Sequence, residues 1–499
     1  HLVEKDAMEF VNVIEETIED RTKNFVTKEY LDVRLMELKL ELLTKIAESE
    51  KNILRWMFTF WIGQLAVMAF GVADTLIAGR YSPQALAVLS LASSIYISIY
   101  VALNGLLQAL LPVWAELHGA GRQADVGRSL RQALYLCAIT ICIGMGALLF
   151  PGPLLRWTQV PLELQAQVQD YLTIVAFGVP ASLLFRLYST LNQSLGKPKL
   201  VTWVQVGALA VKVPLSILLV LGIPGLLPPL GLAGCAWATL AVNYLMLGLA
   251  LWLLRTQDFY RPYRIWAAME APDWQVLMRF VRLGLPSGLA IGVEVTSFTL
   301  MSLFIARLGV VASASHQIVA NMAAVLYMVP LALSIASSAR LSYWLGAGQP
   351  QRARQVLRTG LGLVLMLSLC LSTGMWLGRD AIAALYTQSP EVAALASALL
   401  LWLTLYHFAD AIQVFCVFAL RSYRITLLPL VSYAVLLWGM GLAGGYAIAY
   451  DVLDASALPW LATQSPIAFW QTSSLALCVT AGLLLPVLWH ASYKKRIAV

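Results

Sequence analysis

Charge is scarce in this chain. Only 12% of its 499 residues are Asp, Glu, Lys or Arg, about half the share carried by a soluble globular protein. That shortage excludes a soluble globular class. Histidine is rarer, with five residues in all, and no Ser/His/Asp or metal-type cluster is visible, so an enzyme is not expected. The six cysteines, Cys137, Cys142, Cys235, Cys370, Cys416 and Cys478, lie inside apolar runs without metal-ligand spacing and read as packing residues. No glycine-rich phosphate loop occurs, so no ATP-driven step and no cofactor are expected. The first 56 residues hold 13 acidic and 9 basic side chains, and the remainder 14 and 25. A basic excess among apolar runs reflects topology, and no nucleic-acid partner is expected.

What the chain has instead is apolar length. Twelve runs are long enough to cross a bilayer as helices: about 57–79, 85–112, 131–151, 167–190, 200–222, 232–254, 280–306, 315–338, 357–378, 392–419, 427–449 and 468–490. Loops after the even-numbered spans, with the tail, carry Arg122, Arg128, Lys197, Lys199, Arg255, Arg261, Arg264, Arg352, Arg354, Arg421, Arg424, Lys494, Lys495 and Arg496. Loops after the odd-numbered spans carry only Arg80, Arg156, Arg307 and Arg379. The asymmetry predicts both termini in the cytoplasm. Ahead of the spans, Leu35, Leu38, Leu42, Ile46 and Ile53 recur at helical spacing with charges between them, which predicts an amphipathic or coiled-coil helix able to self-associate.

The chain also repeats itself. "HGAGRQADVGRSLRQ" (118–132) aligns with "LGAGQPQRARQVLRT" (345–359) at an offset of 227, and "SLGKPK" (194–199) falls over "SYRITL" (422–427). A shift of six spans preserves orientation. It predicts two parallel halves about an axis along the membrane normal, with a substrate site between them near mid-membrane. The expected organisation is an extension (1–56), a six-helix half (57–255), a cytoplasmic linker (256–278), a second six-helix half (279–490) and a tail (491–499).

Seven segments, in order, are "GVADTLIAGR", "HGAGR", "GLAGCAWATLAV", "RLGLPSGLAIGVEVTSF", "SASHQIVANMAAVLYMVPLAL", "YWLGAGQPQRARQ" and "FADAIQVFCVFALRSYR". Together they resemble the MATE (multidrug and toxic compound extrusion) transporters of the NorM-like branch over about residues 62–490. The resemblance implies an all-α membrane protein of twelve helices in two six-helix lobes, in a bacterial inner membrane. It implies a secondary antiporter that expels bulky, mostly cationic organic molecules in exchange for inward Na+ or H+. A lipid or glycan flippase of the wider superfamily is the alternative transport reading, and the acidic residues in the spans argue against it. Residues 1–60 resemble a bacterial coiled-coil family related to mitochondrial calcium-uniporter regulators. That likeness raises a third reading, a membrane-anchored scaffold with a passive transporter half.

Few carboxylates fall within the spans: Asp74, Glu294 and Asp410, with Asp170 near the start of the fourth. A carboxylate at membrane depth is costly unless a cation or donor accompanies it, so each marks a functional candidate. By resemblance Glu294 and Asp410 are the cation-coupling acids, holding Na+ if the protein is sodium-coupled, and Asp74 serves proton coupling or cationic substrate. Thr296, Ser297 and Gln413 lie beside the acids and offer oxygen atoms to a hard cation. Tyr327 is expected to close over cation or substrate, while Asn192 and Gln193 are possible contacts that also read as interhelical hydrogen-bonding groups. His316, Gln317 and Asn321 read the same way. Lys212, inside the fifth span, is expected to pair with Asp74 or to snorkel. Ser216 stands where relatives commonly have Asn.

Overall fold

The computed structural model describes residues 57–152, 162–222, 228–452 and 463–493. The coiled coil and self-association arm expected over residues 1–56 lie outside the described residues. Among the described residues the protein is all-helical. Eleven helices are long and apolar enough to cross a membrane, and a bent pair brings the number to twelve when counted as one span.

In chain order they are α1 Met57–Tyr81, α2 Pro83–Gln108 continuing into α3 Leu111–Gly119, α4 Gln123–Leu149, and the bent pair α5 Leu162–Ala176 and α6 Val179–Ser194. Then follow α7 Pro198–Leu221, α8 Leu232–Thr256, α9 Trp274–Ala306, α10 Val310–Gly346, α11 Pro350–Tyr386, α12 Pro390–Ser422, α13 Leu427–Ala449 and α14 Ile467–Tyr493. The bend of 45° between α5 and α6 falls just before Pro180, where the missing N–H makes a break cheap. The middle of α13, Tyr433–Ala443, is π-helical.

The polar segment between α8 and α9 forms a short 3₁₀ turn, Asp258–Tyr263, and ends at Asp273. Asp273 caps α9 by accepting from the backbone N–H groups of Gln275 and Val276, satisfying two donors that a helix start leaves open. The segment is held to α4 by Arg131, which donates to both Glu270 carboxylate oxygens at 2.9 and 2.5 Å. That bond holds the Glu270 carboxyl below its ordinary pKa.

Among the described residues, one buried apolar cluster runs from Ala78 to Phe280 and another from Met301 to Trp470. A third is shared: Phe60 and Leu111 pack with Ala332, Ile335, Ala336, Ala339, Val414 and Phe418. This shared cluster lies at the end of the helices that bears Arg122, Lys197, Arg352 and Arg424.

The repeated Gly-Ala-Gly segments explain how the halves meet there. The second glycine of each, Gly121 and Gly348, takes positive φ, 72° and 70°. Both helices end in the same wrap, with Arg122 N–H donating to Leu117 C=O and Gln349 N–H to Trp344 C=O, each at 3.0 Å. Only a residue tolerant of the left-handed region fits such a helix end cheaply. The first glycine of each meets the other half. A Cβ on Gly119 would stand 1.9 Å from Tyr343 O, and one on Gly346 would stand 1.9 Å from Glu116 O. Glu116 and Tyr343 are themselves related by the offset of 227. The contact is therefore reciprocal, as a two-fold relation between parallel repeats requires. Arg424 closes the same seam by donating to Glu116 at 2.6 Å.

Candidate functional site

Asp74 sits on α1 and is 7% exposed. Lys212 and Ser216, four apart, share one face of α7 and meet it, with Thr239 of α8 alongside. The Lys212 ammonium donates to Asp74 Oδ1 at 3.0 Å, Asp74 Oδ2 at 2.8 Å and Thr239 Oγ1 at 2.6 Å. An ammonium has three protons, so every donor is used. Of the two expectations for Lys212, pairing with Asp74 and snorkelling, the structure shows the pair. The consequence is that Lys212 occupies the place an external cation would take beside Asp74.

Breaking this pair from one side leaves a buried charge uncompensated, which costs about 3–5 kcal/mol. Asp74→Asn is therefore expected to lower the detergent-solubilised melting temperature, and Asp74→Asn/Lys212→Met to regain most of it. A double variant no more stable than the single would show that the pair's charge balance does not matter.

The second half gathers the other two acids. Glu294, midway along α9, is half-buried; Asp410 on α12 is 5% exposed. They are electrostatic neighbours, with the Tyr327 hydroxyl of α10 beside Glu294. One turn beyond Asp410, Gln413 donates from Nε2 to Asp410 Oδ1 at 2.7 Å. Its Oε1 accepts from the Tyr433 hydroxyl, which starts the π-helical stretch of α13. In the same stretch Trp438 donates to Val293 C=O at 3.2 Å, next to Glu294. A π-helical insertion of this kind often marks a functional position, and here it borders the acid pair. Four helices, α9, α10, α12 and α13, thus converge on two carboxyls.

The remaining candidates divide. Thr296 donates its hydroxyl into its own helix, to Gly292 C=O at 2.6 Å, which leaves the oxygen lone pairs available. Ser297 is half-buried one residue further on. Asn192 and Gln193 lie elsewhere, at the end of α6. The Asn192 Oδ1 accepts from the Tyr260 hydroxyl at 2.6 Å, fastening the 3₁₀ turn, and Gln193 donates to Ser189 at 3.1 Å. His316 bonds Ser302 at 2.8 Å and Trp470 at 3.3 Å, as the reading of an interhelical hydrogen-bonding group requires. Among the described residues no group of three or more His, Cys, Asp and Glu side chains could hold a metal. A coupling cation at the acid pair would need hydroxyl, amide or carbonyl oxygens besides the two carboxyls.

Two participants were not legible in sequence. Thr239 is one of many threonines in apolar runs. Arg421 has the sequence pattern of a loop charge, yet it is 2% exposed, and its electrostatic neighbours are Tyr433, Tyr327 and Glu294. The available signal was its offset of 11 from Asp410, three helical turns on one face.

Comparison with known proteins agrees with this architecture. The MatE family model matches residues 60–218 and 286–447. The chain is 38% identical over 422 residues to a protein of Aromatoleum aromaticum named probable multidrug resistance protein NorM, covering 85% of this chain and 90% of that one. It is 34% identical to multidrug resistance protein PmpM of Pseudomonas aeruginosa, covering 81% and 85%. Among solved structures, the Vibrio cholerae MATE transporter VcmN in its bent form aligns with a TM-score of 0.78 at 17% identity, over 90% of this chain and 98% of that one. The eukaryotic MATE transporter AtDTX14 aligns with a TM-score of 0.78 at 16% identity, over the same shares.

Proposed function

The chain belongs to the MatE family, and we propose that it is a multidrug efflux antiporter in which Glu294 and Asp410 hold the inward-moving cation. The observation that carries this reading is the convergence of two carboxyls from different helices, in a bundle otherwise poor in charge. A buried carboxyl favours its neutral or cation-bound form. A cation bound between α9 and α12 stabilises whichever arrangement of the halves brings the two acids together, and so biases their two-state equilibrium. Asp74, neutralised by Lys212, becomes available to a proton or a cationic substrate only when that lysine moves away.

The substrates on this reading are bulky organic molecules, mostly cationic, drawn to the acidic residues. The arginine-rich end faces the cytoplasm of a bacterial inner membrane, and no cofactor is needed beyond the coupling ion, Na+ or H+.

The test is ethidium efflux from drug-sensitive cells expressing the full chain. Efflux that needs external Na+ assigns sodium coupling. Efflux indifferent to Na+ and stopped by an uncoupler assigns proton coupling. Efflux that survives both removal of Na+ and the uncoupler would overturn cation antiport.

A further inference from the structure

The first half keeps an internal cation beside its acid, and the second half has a counterpart that nothing in the family reading uses. Arg421 ends the inward face of α12 with its side chain out of contact with water. Its Nε and Nη1 atoms are buried without a hydrogen-bond partner. The guanidinium stacks on Phe418, with Cζ 4.4 Å from the ring centroid. A cation–π contact recovers part of the cost of burying a cation. It leaves the Nε and Nη1 donors unsatisfied, and a buried charge without its partner is strongly destabilising. A helical arginine leans toward the N-terminal turn, here the turn that bears Phe418; Asp410 lies on the same face three turns further on. The groups facing it from α9, α10 and α13 are Glu294, Tyr327 and Tyr433. Among these Glu294 is the one carboxylate, and Asp410 is in turn its electrostatic neighbour.

Resting on the reading that Glu294 and Asp410 hold the coupling cation, we propose that Arg421 is the built-in counter-charge of that site. With both carboxylates ionised, Arg421 leaves one net negative charge, so the site takes one monovalent cation per cycle. When that cation leaves, the unpartnered N–H groups of Arg421 turn to the carboxylates and hold the empty site in its place. Arg421 is thus a positioning residue in competition with the coupling ion, as Lys212 is beside Asp74.

The experiment uses the full-length protein in proteoliposomes, with ethidium transport driven by an imposed Na+ gradient at fixed pH or by a pH gradient without Na+. The half-saturating concentration of the driving cation is measured in each variant. Removing one unit charge at ~10 Å, in an effective dielectric of ~20, is expected to tighten cation capture roughly tenfold. Arg421→Gln and Arg421→Met should therefore lower the half-saturating concentration about tenfold, while Arg421→Lys keeps it near wild type. Arg421→Gln/Asp410→Asn restores a single net negative charge and should regain part of the ion-driven transport that Asp410→Asn loses. An unchanged half-saturating concentration in a folded neutral variant overturns the proposal. If neither neutral variant folds, the charge-balanced double decides: a folded, ion-driven double supports the counter-charge, and an unfolded one shows Arg421 to be structural. The parent reading fails separately, if wild type responds to neither gradient or Glu294→Gln keeps its response.

Discussion

Glu294→Gln and Asp410→Asn should each reduce ion-driven ethidium efflux by at least about tenfold, while leaving the protein folded and able to bind ethidium. The size follows from what a coupling ion must do. It shifts the equilibrium between two arrangements only by its difference in affinity for them, and each tenfold of shift requires ~1.4 kcal/mol of that difference. Glu294 and Asp410 lie on separate helices, α9 and α12, so a cation touching both carboxyls ties those helices together. One amide in place of either carboxyl removes a full charge from the pair and weakens that tie. Asp410→Asn also weakens the 2.7 Å bond from Gln413 Nε2, because an amide oxygen accepts less strongly than a carboxylate, and Gln413 is the link to Tyr433 and the π-helical stretch. The aspartate variant is therefore expected to disturb α13 as well, which protease sensitivity between α12 and α13 would report. Efflux within twofold of wild type in either variant, at equal expression, would remove the acid pair from the coupling site.

How much of this was readable in advance depends on the length scale of the signal. Span positions were legible because twenty apolar residues leave a helix no alternative in lipid. The Asp74–Lys212 pair was legible for a similar reason: two opposite charges in separate apolar runs each need a partner, and few are on offer. The repeat was legible as Gly-Ala-Gly, although its two glycines proved to do different work, one by close approach and one by backbone conformation. Arg421 was hidden because an arginine near a helix end, followed by Arg424 in the turn, has the pattern of an ordinary cytoplasmic-side charge. Its burial is set by α9, α10 and α13, which no local window contains. The π-helical stretch of α13 was hidden likewise: its first residue, Tyr433, meets Gln413 of another helix, which no local window contains.

The seam between the halves carries the second large effect. Gly119→Ala and Gly346→Ala should each prevent the arginine-rich end from closing as it does here. Each new Cβ would fall 1.9 Å from a backbone carbonyl oxygen of the other half, and a backbone oxygen on a packed helix cannot swing aside as a flexible side chain can. Forced overpacking of this kind costs roughly 1–3 kcal/mol, enough to shift a closed–open equilibrium by about five- to over a hundredfold. A reporter at Ala339, 2% exposed in the shared cluster, makes the shift visible. Ala339→Cys should react slowly with maleimide in the otherwise wild-type protein and at least about tenfold faster with either alanine present. Because Gly119 and Gly346 occupy equivalent places in one reciprocal contact, the two single variants should match and the double should add little. Gly127 is the comparison: its Cβ would meet Tyr263 O at 1.8 Å, an equal intrusion on the 3₁₀ turn of the linker and not on the backbone of the other half, so Gly127→Ala should speed labelling at Ala339→Cys less than either seam variant. Arg424 sharpens the comparison. It holds the left-handed position, φ 63°, that Gly196 holds at 72° in the first half, a strain of roughly 1–2 kcal/mol for a residue with a Cβ. The half-exposed pair with Glu116 offsets at most about 1 kcal/mol of that. Arg424→Gly should therefore be near neutral for stability yet speed labelling at Ala339→Cys, since it removes strain and latch together. Equal labelling in Arg424→Gly and wild type would place the closure of this end in the glycine contacts alone.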